Sequence, residues 1–152
     1  MNKGGMTMTQ LQTNIDDMVK KIKTYGSLSD ICFVKGFGAY EQANPLSDYM
    51  IAVSTLDTQV VSSFVGENVK DNLKGGMYDL TLKFRIYAPK NNGGEGLISL
   101  ANELCDAIRK SDSYNACQDI KISAISFDEN AMSVYRDVVL QLSFCMYEEV
   151  TG

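Results

Sequence analysis

Apolar residues recur at helical spacing in two stretches of the chain and alternate with polar ones in several others. Leu11, Ile15, Met18, Val19 and Ile22 share one face of a 3.6-residue repeat and predict a helix over residues 9–25. Thr9 and Gln12 make a capping-box start, Lys20, Lys21 and Lys23 suit the negative end of the dipole, and Gly26 supplies a stop. Leu97, Leu100, Ala101, Leu104, Cys105 and Ile108 form a second stripe, predicting a helix over residues 96–110 after Asn91-Asn92-Gly93-Gly94. Between the helices, residues 31–34 and 49–55 read as short strands. Residues 78–87 read as a longer one, in which Leu80, Leu82, Phe84 and Ile86 alternate with Thr81, Lys83, Arg85 and Tyr87. That alternation predicts one buried and one solvated face. Ile120, Ile122 and Ala124 mark a further strand, and Val138, Leu140, Leu142, Phe144 and Met146 mark the last, which begins as early as Met132. Asp128-Glu129-Asn130 sits at the turn between them.

The order is α-β-β-β-α-β-β, an α+β fold with a mainly antiparallel sheet and two helices packed on one face. Leu82, Phe84, Leu100, Leu104, Leu140 and Leu142 are the expected core. Residues 56–77 read as a long arm between the second and third strands, punctuated by Gly66, Gly75 and Gly76. Its Val60, Val61, Phe64 and Val65 are apolar without a helical stripe, which marks them as a candidate interface. A hairpin folded on its own domain is the competing account.

Length and composition narrow the chemistry. The 152 residues suit one domain, 1–152, with 45% hydrophobic and 22% charged residues, ordinary for a globular protein. A net charge of −5 argues against a phosphate-gripping nucleic-acid binder. No apolar run reaches the roughly 18 residues of a membrane span, and no signal-peptide apolar region opens the chain. With no histidine, Ser-His-Asp and Cys-His catalysis and His-containing zinc sites are excluded. Cys32, Cys105, Cys117 and Cys145 form no Cys-x-x-Cys pair and sit among apolar neighbours, so buried reduced thiols in a reducing compartment are expected. Gly36-x-Gly38 lacks the third glycine of a dinucleotide loop, and Glu95-Gly96-Leu97 replaces the Gly-Lys-Ser/Thr of a P-loop. Asp16-Asp17, Asp128-Glu129 and Glu148-Glu149 are sequence neighbours that point apart, and Asp128 and Glu129 read as a solvated turn. The expectation is a protein with no catalytic site, no cofactor and no metal.

Several local strings are similar to those of a known family. Asn44-Pro45-Leu46 before an apolar strand, the long arm, Phe84-Arg85-Ile86-Tyr87-Ala88-Pro89, and Gly93-Gly94 leading into a Leu/Ala-rich helix resemble tail-terminator proteins of tailed bacteriophages. Phe127-Asp128 and Tyr135-Arg136-Asp137 fit the same pattern, and the resemblance spans residues 9–150. It implies a structural subunit of a virion or prophage tail-like particle that assembles as a homo-oligomeric ring, a hexamer. Such a ring caps the tail tube, ends polymerisation and offers a docking surface to the head. The implied partners are the tail tube protein and the head–tail connector protein, with DNA only as passing cargo and no membrane. The implied location is the virion, assembled in the bacterial host cytoplasm. The alternatives are another head–tail connector or neck protein and a small-molecule-binding α+β domain.

Overall fold

The computed structural model describes residues 8–35, 48–65, 73–89, 94–112 and 116–149, with the side chains of residues 8–11, 57–65, 73–76 and 145–149 left aside. The chain runs α1 (Met8–Ile22), a 3-10 turn (Gly26–Asp30), β1 (Cys32–Lys35), β2 (Met50–Val65) and β3 (Leu73–Tyr87). It continues with α2 (Leu97–Ser111), β4 (Cys117–Ile122), β5 (Ser126–Asp128) and β6 (Ser133–Glu149). This is an α+β fold with two helices and a six-stranded sheet in the order β1-β2-β3-β6-β4, β5 also pairing with β6. The sheet is mixed. β1 lies parallel to β2, whereas β2–β3, β3–β6, β4–β6 and β5–β6 are antiparallel.

Both helices bury their stripes in one cluster with the sheet. Ile15, Met18 and Ile22 of α1 and Leu97, Leu100, Leu104 and Ile108 of α2 pack with Leu80, Leu82, Phe84 and Ile86 of β3 and Val138, Leu140, Leu142 and Phe144 of β6. All six residues expected in the core are buried. α1 ends at Ile22, three residues before its expected end. Gly26 is not a cap on the helix but opens the following 3-10 turn at φ 48°. A Cβ there would also run into the Glu103 carboxylate, which accepts from the Ser27 amide (2.8 Å) and from the Ser27 hydroxyl (2.6 Å). That clamp ties the α1–β1 connection to α2. At the start of α2, Gly96 takes φ 88° and leaves room for the Tyr49 hydroxyl, which donates to the Glu95 carbonyl.

Three expectations need correction. The strands expected over residues 49–55 and 78–87 are longer, so the stretch read as an arm is itself paired strand over residues 56–65 and 73–77. β5, three residues long, escapes the period-2 test for want of length. The face of β3 opposite the helices is not wholly wet: Tyr87 is buried with Met50, Ala52 and Ala131 in a second, smaller cluster, with Val34 and Tyr135 against it. The turn after β5 supplies Ala131 to that face, a long-range contact that alternation within one strand does not reveal. Residues 36–47, with the Gly36-x-Gly38 and Asn44-Pro45-Leu46 strings, lie outside the described residues.

Candidate interface

The candidate residues Val60, Val61, Phe64 and Val65 all fall on β2. Val60 pairs with Tyr78, Phe64 with Gly75 and Val65 with Lys74, while Val61 is skipped where the register shifts between Val60 and Ser62. A second shift between Thr55 and Asp57 skips Leu56, which is exposed. The side chains of the four candidates lie outside those described. β3 pairs on its other side with β6 from Tyr87↔Tyr135 down to Leu73↔Glu149, so β2, β3 and β6 continue together as a three-stranded blade. Strands of 15 to 17 residues span about 50 Å, and helices of 15 residues about 22 Å. Neither helix can accompany the strands for more than about half their length.

The face of the sheet away from the helices carries a polar cluster. Arg85 donates through Nε to Asp137 Oδ1 (2.7 Å) and through Nη2 to Asp137 Oδ2 (2.9 Å), a fork-to-fork pair between neighbouring strands. Its guanidinium lies 3.9 Å from the Tyr135 ring centroid. The bond to Asp137 holds the Arg85 pKa above its ordinary value. The Tyr87 hydroxyl donates to Asp128 Oδ2 (3.1 Å), and Asp128 Oδ1 accepts from the amides of Asn130 (2.9 Å) and Ala131 (3.3 Å). Burial pushes Tyr87 up to about 12, opposed by its bond to Arg85 and assisted by the Asp128 charge. Asp128 bonds its local backbone as expected, but it is buried rather than solvated. Glu129, next to it, is exposed. These groups satisfy one another: the cluster pins β5 and its turn onto β3 and β6.

Two further features flank the sheet. A cleft of about 300 Å³ opens between α1 and the β1–β2 edge, walled by Val19, Phe33 and Val53 with Lys20, Lys23 and Lys35 among its lining. At the opposite edge, Ile122, Ile125 and Phe127 are exposed, and so is Ile98 on the first turn of α2. The thiols divide. Cys105 is buried and Cys117 half-buried, both with pKa raised by burial, whereas Cys32 is exposed, because β1 is an edge strand whose first residue faces outward. The Cys145 side chain lies outside those described. Among the described residues no helix is long and apolar enough to cross a membrane.

Sequence reasoning puts Arg85 and Tyr87 on the polar side of their strand and Asp128 in a turn, and reaches Tyr135 and Asp137 only as part of a string. Opposite charges on the outward positions of two alternating strands are the available signal. The exposed edge at Ile122 and Phe127 escapes it, since Ile122 reads as a core position until its strand is known to be terminal. No protein-family model matches the chain, and no curated protein matches it.

Proposed function

We propose that the protein is a structural subunit of a phage tail or tail-like particle, which closes into a ring on the end of the tail tube, stops its growth and presents the surface to which the head docks. The observation that carries this reading is the length of the paired β2, β3 and β6, a blade reaching beyond what two 15-residue helices can cover. A blade of this kind suits contact with a neighbouring subunit or the tube, and its apolar Val60, Val61, Phe64 and Val65 lie along it. In this reading the domain is a mainly antiparallel sheet with both helices on one face. The ring has six members, the tail tube protein and the head–tail connector protein bind its two ends, and DNA only passes through. It needs no catalytic group, cofactor or metal, and its place is the virion, after assembly in the bacterial cytoplasm. The resemblance over residues 9–150 supports the same assignment.

Light scattering of the purified chain tests the ring, and electron microscopy of growing tail tubes tests the cap. The expected results are one species of fixed, ring-sized mass and tubes that stop lengthening when it is added. A chain that stays monomeric and leaves tube growth unchanged overturns the proposal.

A further inference from the structure

We propose that copies of this chain join head to tail through opposite edges of the sheet, the β4–β5 edge of one copy seating in the α1–β1 cleft of the next. This rests on the ring reading above and names the surfaces that close the ring. One cross-strand row links the two sites. Val53, in the wall of the cleft, pairs with Phe84, Phe84 with Val138, and Val138 with Ile122 at the far edge. Ridge and cleft therefore stand at the same height on opposite sides of one sheet, the arrangement that lateral addition of a second copy requires.

The ridge carries three exposed apolar side chains. Ile122, Ile125 and Phe127 are 39%, 43% and 56% exposed. Ile125 adjoins the start of α2, since a Cβ placed on Gly94 would lie 3.8 Å from it and 3.6 Å from Leu97. Ile98 and Asn102, one turn apart, continue the ridge along the flank of α2 turned away from the Ser27–Glu103 clamp. The next position along that flank, Asp106, is exposed and its charge is offset by Lys110 (2.9 Å).

The two edges also differ in the sign of their charge. Exposed Glu95 and Glu129 border the ridge, standing before α2 and after β5. Arg136, half-buried, is turned to the Ser123 carbonyl (2.7 Å). Asp119 and Lys121 on β4 pair through Gln141 and Val139 with Thr81 and Lys83, so they share the other face of the sheet and offset one another there. In the cleft, Lys20, Lys23 and Lys35 outnumber Asp16, which sits 3.7 Å from Lys35, and Lys23 lies 5.6 Å from the Phe33 ring centroid.

An apolar ridge bordered by two glutamates thus matches an apolar cleft bordered by three lysines. Joining two cleft edges would set lysines against lysines, which disfavours a two-fold dimer there and favours the head-to-tail contact. Among the described residues β1 pairs only with β2, and β4 and β5 only with β6, so no described strand lies beyond either edge.

Two charge-swapped chains test the contact: Lys20→Glu/Lys23→Glu/Lys35→Glu and Glu95→Lys/Glu129→Lys, their folding checked by circular dichroism and their mass by light scattering. Each alone is expected to lose the oligomer. Their equimolar mixture is expected to regain a defined oligomer, because the acidic cleft of one then accepts the basic ridge of the other. Adding Ile122→Ser/Phe127→Ser to both should abolish that rescue. An oligomer that survives either swap, or a mixture that stays monomeric, overturns the edge contact and leaves the ring reading standing. A swap-sensitive polymer of unlimited mass keeps the contact and overturns the ring. A wild-type chain that is monomeric at every concentration overturns both.

Discussion

Arg85 carries a charge into the sheet and is held there by both oxygens of Asp137 and by the ring of Tyr135. Its side chain and that of Asp137 are 21% and 14% exposed, so removing the carboxylate strands a mostly desolvated guanidinium. Asp137→Ala is expected to cost about 1–3 kcal/mol in urea unfolding, less than a fully buried pair because water still reaches both groups. Replacing both partners, as Arg85→Met/Asp137→Leu, should cost less than that single change, since no unpaired charge remains. Tyr87 has a pH signature of its own. Its folded pKa, raised by burial to about 12, lies above the ordinary 10, so the neutral phenol is favoured by folding. The resulting stability is complete below pH 10, and falls as the unfolded chain ionises first, until the folded pKa is passed. Thermal melts of wild type and Tyr87→Phe between pH 9 and about 12 should therefore converge as pH rises, and parallel curves would refute the assignment.

Element by element, legibility follows uninterrupted periodicity. The α2 stripe and the alternation of residues 80–87 survive into the structure; α2 stands within a residue of both expected ends, whereas β3 ends at Tyr87 as expected but starts five residues earlier, at Leu73. β2 is legible only as far as Thr55, for a physical reason. Positions paired with the even-numbered residues of β3, the series that faces the helices from Leu80 to Ile86, are odd-numbered up to Thr55, even at Thr58 and Val60, and odd again at 63 and 65. Each skipped residue resets the phase, so a period-2 search over the whole stretch finds nothing. The candidate residues Val60 to Val65 are legible as apolar groups without a helical stripe, but not as strand. Removing residues 60–74 and bridging the ends with glycines separates the blade from the body beneath the helices. The expected outcome is a small change in melting temperature with loss of the ring by light scattering. Unfolding, or assembly as before, would show that the blade serves only its own sheet.

At the scale of the whole molecule, the layers are legible in the sequence and their edges are not. Two amphipathic stripes and alternating strands require a sheet with helices against it, but the parallel pairing of β1 and the terminal place of β4 depend on contacts between distant segments. The same holds for the second cluster, assembled from Met50, Ala52, Tyr87 and Ala131 of three separate stretches. A net charge of −5 likewise conceals an uneven distribution, with Lys20, Lys23 and Lys35 gathered at one edge against the acidic balance of the whole. The two register shifts in β2 have an evolutionary consequence. Leu56 and Val61 are residues for which the neighbouring strand has no counterpart, so losing either one lets the ladder close up with every other partner kept. Losing one residue from the middle of β3, which is paired on both sides, would instead turn half a strand over. Single-codon gains and losses should accordingly gather at these two points of β2 as the gene diverges, leaving β3 and β6 constant in length.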